Sequence, residues 1–172
     1  MFDLVNPKLP ERLSVPFALI ENAYTRLTRL VHDMSQEEID YLGPAGNVNS
    51  TATLIQHLAF TDLEYLHCIK GEAIPEALMA EYGPDRTEDE RLPVVKGQQV
   101  DQLLASYRRV IDLIEDYLQT CTDEDATATV TVPWWPESAS VRYVLWHMAG
   151  HSMFHQGQIR RLREWYAQEH RS

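Results

Sequence analysis

Three of the seven histidines in the chain, His147, His151 and His155, follow one another at intervals of four residues. On an α-helix, residues four apart lie about one turn, roughly 6 Å, along the same face, so each neighbouring pair can chelate one metal ion. His147 and His155 are about 12 Å apart along such a helix, which is too far for both to join His151 around a single ion. One of the two outer histidines therefore has another role, and the spacing alone does not say which.

This spacing is only moderately specific for a metal site. Seven histidines placed at random among 172 residues would give about 0.28 such pairs, whereas this chain has two overlapping ones. The main alternative is therefore a chance recurrence or a helix-surface pair. The segment HSMFH also has Ser152 where HExxH zinc proteases have the glutamate that acts as general base, which excludes that mechanism.

A catalytic metal ion held by two histidines of one helix needs a third protein ligand from a facing element. His57 is the best candidate because it lies within the apolar stripe of another predicted helix and should point into the protein. The alternative for His57 is a core histidine that is satisfied by hydrogen bonds. We expect the other three histidines, His32, His67 and His170, to be solvated.

Four amphipathic segments can position these histidines. Apolar residues recur at intervals of three and four, which predicts helices at about residues 14–33, 50–71, 98–120 and 138–168. Residues 71–97 predict an irregular connection with at most a short helical turn at about 75–81, and TATVTVP predicts at most an isolated strand. Gly157 lies inside the last predicted helix at a cost of about 1 kcal/mol, so we expect another helix to approach it closely. The sequence thus predicts an all-α protein, a four-helix bundle with a long connection between its second and third helices.

Composition narrows the range of functions. With 172 residues, 44% hydrophobic and 24% charged, the chain predicts one globular domain over residues 1–172. Its formal net charge of −11 disfavours nucleic acids and anionic membrane surfaces as partners. The sequence shows neither a signal-peptide pattern nor an apolar run long enough to span a membrane, so we expect a cytoplasmic protein. Cys68 and Cys121 form no CxxC pattern and predict neither a disulfide nor a cysteine metal site.

Two segments resemble a known family. NSTATLIQHLAFTDLEYL, on the second predicted helix, and SVRYVLWHMAGHSMFHQGQIRRL, on the fourth, are similar to the DinB/YfiT-like superfamily of metalloenzymes. The resemblance extends over nearly the whole chain, and its most specific part is HSMFHQGQI. It implies a four-helix bundle with a divalent metal ion, often zinc or nickel, held by His57, His151 and His155. His147 then lies next to the ligands or in the core, and Gln156 replaces an arginine that is common in the family.

The resemblance also implies a function. Family members with a known role are thiol-dependent transferases and isomerases that use low-molecular-weight thiols such as bacillithiol or mycothiol. The leading hypothesis is a metal-dependent enzyme whose three imidazoles leave an open position where water or a thiol is activated, giving hydrolysis or S-transfer. A homodimer is expected from the same resemblance. No general base is assigned, although Glu64 lies seven residues after His57 on a similar face and Tyr107 or Tyr143 can reach a cavity. Gln158 can orient a ligand.

The alternative is a non-catalytic bundle, with or without metal, that binds a small ligand or serves assembly in a stress-related role. Trp165 would then suit an interface, although a tryptophan at helical spacing is more often part of the core. Trp134 and Trp135 precede the fourth predicted helix and either line the mouth of a pocket or close the end of the bundle. An acidic bundle that binds no metal and turns over no thiol adduct would favour this alternative.

Overall fold

A computed structural model of the chain describes residues 3–171, so the predicted domain limits at residues 1 and 172 lie outside the described part. Within this part six helices follow one another: α1 (Glu11–Val31), α2 (Gln36–Ile39), α3 (Thr51–Lys70), α4 (Glu76–Tyr82), α5 (Val100–Leu118) and α6 (Val141–Glu169). The long helices α1, α3, α5 and α6 form the bundle, which confirms the predicted fold class. No helix among the described residues combines the length and apolar character that a membrane span requires.

Each long helix packs against two others. α6 lies between α1 and α3, and α5 lies between the same two helices on the opposite side of the bundle. Their apolar faces meet in one core, where Phe17, Leu63, Ile111 and Val144, one from each helix, are fully buried. Burial of a side chain of this kind contributes about 1.5–3 kcal/mol relative to leaving it in water, so these faces fix how the four helices pack.

α3 is buried on nearly all sides. Ser50 begins it by accepting a hydrogen bond from the backbone N–H of Thr53 at 3.1 Å, and Gly71, with φ of 66°, ends it in the left-handed conformation. Fourteen of its 20 residues are buried, because α4 and the following connection cover the side that α5 and α6 leave open. Polar side chains on this helix must therefore find partners inside the protein.

The connections contain more structure than the sequence indicated. The short helix α2 was not predicted; Ser35 caps it by accepting a hydrogen bond from the backbone N–H of Glu38 at 3.2 Å. The expected helical turn near residues 75–81 is confirmed as α4. Four residues are too few to show a helical period of apolar residues. The only sequence signal for α2 was therefore its capping residue.

We expected the segment TATVTVP to form at most an isolated strand, but its strand is paired with a second one. Strand β1 (Thr129–Val130) pairs antiparallel with strand β2 (Ala139–Ser140), which directly precedes α6. The backbone N–H of Val141 then donates to the carbonyl oxygen of Ala128 at 3.1 Å. This small pair, whose partner strand is too short to recognise in the sequence, ties the first turn of α6 to the segment before it.

Candidate metal centre

The structure brings three of the seven histidines together between α3 and α6. One ring nitrogen each from His57, His151 and His155 lies within 4.8 Å of the other two. The ring centroid of His57 is 5.1 Å from that of His151 and 5.0 Å from that of His155, and the two α6 rings are 4.5 Å apart. These are the three residues that the sequence nominated, and their imidazoles converge on one point.

The closest contact in the cluster joins the Nε2 atoms of His151 and His155, which are 2.9 Å apart. Nδ1 of His155 faces Oε1 of Gln158 at 2.8 Å, so Nδ1–H donates to that oxygen and Nε2 presents a lone pair. Nδ1 of His151 is buried without a hydrogen-bond partner among the described residues. Either a proton or a cation must therefore lie between the two Nε2 atoms, since two facing lone pairs repel each other.

The donor set fits a divalent ion. Two nitrogens bound to one tetrahedral ion at about 2.0–2.1 Å lie about 3.3 Å apart, so the rings of His151 and His155 need to separate by only a few tenths of an ångström. Three neutral imidazoles without a thiolate suit zinc, nickel, copper or iron. Small movements of the His151 and His155 rings would therefore let the cluster bind a divalent ion.

His57 is held by a carboxylate from a connection. Its Nδ1 lies 3.2 Å from Oδ1 of Asp85 and 3.2 Å from Oγ1 of Thr61. A hydrogen bond from Nδ1–H to Asp85 leaves Nε2 of His57 free as a ligand, as carboxylates beside metal-binding histidines do. This hydrogen bond also lowers the pKa of Asp85. Sequence reasoning missed Asp85, because an irregular connection has no periodicity that shows which of its residues reaches a helix.

Burial keeps the two α6 histidines neutral. Desolvation, with the neighbouring histidines adding to it, lowers the pKa of His151 to about 3. Desolvation also lowers the pKa of His155 to about 4, although the hydrogen bond to Gln158 opposes the shift. Near neutral pH both rings are therefore neutral, which is the charge state in which imidazole binds metals, and an ion does not have to compete with the extra proton of an imidazolium.

His147 stands apart from this cluster. Its ring is nearly parallel to that of His151, at 13°, with the centroids 6.3 Å apart. On its other side it contacts aromatic rings, with centroid distances of 4.8 Å to Trp135 and 5.5 Å to Tyr65. His147 thus lies next to the cluster, between the candidate ligands and an aromatic group.

The three residues considered beside the candidate ligands, Glu64, Tyr107 and Tyr143, have different surroundings. Glu64 is half-buried, and desolvation, followed by the charge of Asp85, raises its pKa to about 7. Tyr143 is 48% exposed and lies 5.7 Å from Trp135 between ring centroids. Of the two tyrosines, Tyr143 lines a cavity, whereas Tyr107 is fully buried and its hydroxyl donates to Oδ2 of Asp62 at 2.6 Å. Tyr107 faces the core because the same apolar stripe that predicted α5 turns it inward.

One of the three histidines that we expected to be solvated, His67, is buried instead. His67 is only 5% exposed, its Nδ1 has no hydrogen-bond partner within residues 3–171, and desolvation lowers its pKa. His32 and His170 are exposed, as expected. The difference arises because α3 is covered on the side that its periodicity assigned to solvent.

Two further expectations concern the residues that follow His155. A Cβ at Gly157 would meet no atom within 4 Å beyond the backbone of its own helix, so the predicted close approach of another helix is wrong. Gln156 is buried, and its amide donates to the carbonyl oxygen of Ala23 at 2.9 Å and to Oγ of Ser152 at 3.1 Å. It therefore secures α6 against α1 and points away from the histidine cluster.

The tryptophans divide between core and surface. Trp165, considered as an interface residue, is half-buried and packs against the core. Trp134 is 50% exposed, whereas Trp135 is half-buried beside His147. Of the two, Trp135 is the one that lines a cavity.

A family model described as mycothiol-S-transferase matches residues 15–168. The chain belongs to this family. The match confirms the DinB/YfiT-like relationship that the two histidine-containing segments predicted.

Individual relatives agree with this assignment. YkkA from Bacillus subtilis (strain 168), an uncharacterised protein, is 29% identical over 158 residues that cover 91% of this chain and 89% of YkkA. A conserved protein from Enterococcus faecalis has a similar structure, with a TM-score of 0.67 and 18% identity over 88% of this chain and 94% of that chain. YfiT from Bacillus subtilis, described as a probable metal-dependent hydrolase with an unusual four-helix bundle topology, gives a TM-score of 0.58 and 17% identity over 87% of this chain and 86% of YfiT. At these identities the two solved structures show a shared fold.

Proposed function

We propose that the protein is a metal-dependent enzyme in which His57, His151 and His155 hold one divalent ion. Zinc and nickel are the metals that we favour. The observation that carries this proposal is the approach of two Nε2 atoms to 2.9 Å with a third imidazole beside them. Three protein ligands leave a position open, which is typical of catalytic rather than structural zinc sites. When bound, the ion supplies a positive charge that favours the deprotonated form of a water or thiol at the site.

The reaction that we propose is S-transfer from a low-molecular-weight thiol, because the family is described as mycothiol-S-transferase. In this reaction the thiol loses its proton, its sulfur forms a bond to an electrophilic carbon, and the leaving group departs with the bonding electron pair. Hydrolysis is the second candidate, favoured by the description of YfiT as a probable metal-dependent hydrolase. Water then takes the place of the thiol in the same sequence of bond changes.

Two carboxylates of this chain have roles in the proposal. Glu64 is the candidate that we propose to accept the proton of the thiol or water, because it lies on α3 with His57, near Asp85, and burial raises its pKa in the absence of an ion. Asp85, which lies close enough to Glu64 to raise that pKa, fixes the ring of His57 through Nδ1. A Glu64→Gln variant should lose the lower limb of the pH–rate profile and keep its metal; a variant with an unchanged profile would assign the base elsewhere.

Metal analysis of protein purified without a His tag tests the centre itself, and about one divalent ion per chain is expected. Metal-loaded protein is then offered a panel of low-molecular-weight thiols with electrophilic acceptors, beside ester and amide substrates. Turnover that requires a thiol supports S-transfer, and turnover of esters or amides alone supports hydrolysis. Metal-loaded protein that acts on neither class supports the non-catalytic alternative, and an ion with a fourth protein ligand contradicts an open catalytic position.

Location and assembly complete the proposal. We place the protein in the cytoplasm, where Cys68 and Cys121, both free thiols, stay reduced. The homodimer stays a prediction, which sedimentation equilibrium of the metal-loaded protein tests. The net charge of −11 continues to argue against nucleic acid as a partner.

A further inference from the structure

A cavity of about 520 Å³ lies where the segment before α6 meets the first turns of that helix. Its lining includes Trp135, Pro136, Glu137, Ser138, Tyr143 and His147. The volume falls within the range of roughly 300–1,000 Å³ that is typical of small-molecule sites. The cavity is therefore large enough for a substituted aromatic compound.

His147 connects this cavity to the histidine cluster. Its ring lines the cavity beside Trp135, and its other face is turned to the nearly parallel ring of His151, 6.3 Å away between centroids. No group among residues 3–171 hydrogen bonds to the ring nitrogens of His147, so they are available to a ligand. A ligand in the cavity is thus separated from the candidate metal centre by a single side chain.

The walls of the cavity suit a flat ring. Trp135 and Tyr143 stand nearly perpendicular, at 87°, with their centroids 5.7 Å apart. Behind them Tyr65, only 3% exposed, contacts both Trp135 and His147 and holds the two rings in place. An aromatic ligand can stack on one wall and meet the other edge-on, which are the two favourable geometries for aromatic pairs.

The charge of the lining argues against the thiol as the occupant. Among residues 3–171, no lysine or arginine lines the cavity, and Glu137 is the one charged residue in the lining. An anionic or highly polar thiol gains little from such walls, whereas an apolar ring gains from leaving water.

We propose that this cavity binds the aromatic group of an electrophilic substrate, with His147 hydrogen bonding to a polar substituent and the reacting carbon directed toward the histidine cluster. The role of the bound compound as the electrophile rests on the proposed function. The binding of the ring itself needs only the cavity and no metal ion.

Calorimetric titration with 2-naphthol tests the binding. Tyr143→Ala and Trp135→Ala should each weaken binding at least ten-fold, and Tyr143→Phe should stay within about two-fold because it keeps the ring. Phe154→Ala is the matched control, since Phe154 is 63% exposed on the same helix and lies outside the lining. Tyr143 is itself 48% exposed, so its replacement should leave the thermal midpoint nearly unchanged.

Two further arms separate this proposal from the proposed function. A His57→Ala chain that has lost its metal should bind 2-naphthol as before, so failure of the metal centre leaves the titration interpretable. Methyl β-glucoside serves as the polar probe, and tighter binding of glucoside than of 2-naphthol overturns the proposal. No measurable binding of 2-naphthol, or binding unaffected by Tyr143→Ala, overturns it as well.

Kinetics decide whether the bound ring belongs to the substrate. Tyr143→Ala should raise KM about ten-fold for aromatic electrophiles, with kcat little changed, and leave KM for short aliphatic electrophiles as it was. An equal rise in KM for both classes, or an effect on kcat alone, contradicts a ring-binding role.

Discussion

Two ionisable side chains of α3, the half-buried His57 and the fully buried Asp62, lie five residues apart and have different surroundings. His57 meets two imidazoles of α6 and a carboxylate from a connection, so several ligand atoms converge on one point. Asp62 is fully buried with Tyr107 as its hydrogen-bond partner, and its Oδ1 has none among the described residues. Burial favours the neutral form at both places, lowering the pKa of His151 and His155 and raising that of Asp62 to about 7. A shifted pKa therefore does not distinguish the two places, whereas the convergence of donor atoms does.

The largest effect is expected at the convergent site. Replacement of His57, His151 or His155 by alanine removes one of three ligands, and we expect metal content to fall from about one ion per chain to near zero. Elemental analysis of untagged protein measures this. His147→Ala and His67→Ala are the controls, and both should keep the metal. If His147→Ala lost the ion while His57→Ala kept it, the ligand set would be wrong.

The second effect concerns Asp62 and depends on pH. Burial raises the pKa of Asp62 in the folded state to about 7, above the value near 3.8 of an exposed aspartate. The contribution of this carboxyl group to the free energy of unfolding is therefore fully present below pH 4. That stability is lost as the pH rises through 7. Asp62→Asn keeps an acceptor for the hydroxyl of Tyr107 and cannot ionise. The variant should match the wild type at pH 4 and exceed it by up to about 4 kcal/mol at pH 8.

Urea unfolding of both proteins, stripped of metal so that ligand binding does not contribute, measures this difference at pH 4, 6 and 8. The control is Asp101→Asn, which changes an exposed aspartate at the start of α5 and should give no pH-dependent gain. If the free energies of unfolding of wild type and Asp62→Asn differ by the same amount at all three pH values, Asp62 does not change protonation on folding.

A smaller change is expected from the carboxylate behind His57. Asp85→Asn weakens the hold on Nδ1 of His57, and loss of such a partner typically lowers metal affinity about 10–100-fold. Competition with a chromophoric chelator measures the affinity. Asp89→Asn, an exposed position in the same connection, is the control and should leave it unchanged. Equal affinities for Asp85→Asn and wild type would mean that the tautomer of His57 is set by Thr61 instead.

The same two places show what a sequence can and cannot predict. The period of α6 placed His151 and His155 on one face, and the apolar stripe of α3 turned His57 inward, because both signals are local to one helix. Asp85 escaped prediction because its contact with His57 depends on the path of a connection. The burial of His67 escaped for a related reason, since it depends on what covers α3 and not on α3 itself. Local periodicity thus predicts the helical part of the site, and tertiary contacts supply the rest.

The smallest effect is expected from a substitution on α6 that touches neither the histidine cluster nor Asp62. It should change the stability of the protein without changing its metal affinity. Gly157→Ala places a methyl group where no atom outside the backbone of its own helix lies within 4 Å, and alanine favours a helix over glycine by about 0.5–1 kcal/mol. The variant should gain about that much in urea unfolding while its metal affinity stays within two-fold of wild type. Gly43→Ala is the contrasting change, because its Cβ would lie 2.7 Å from Cγ2 of Val48 at a φ of +78°, and it should destabilise the protein. If Gly157→Ala were destabilising, or if it released the metal, the residues after His155 would need the freedom of glycine at this position, and the metal centre would extend further along α6 than its three histidines.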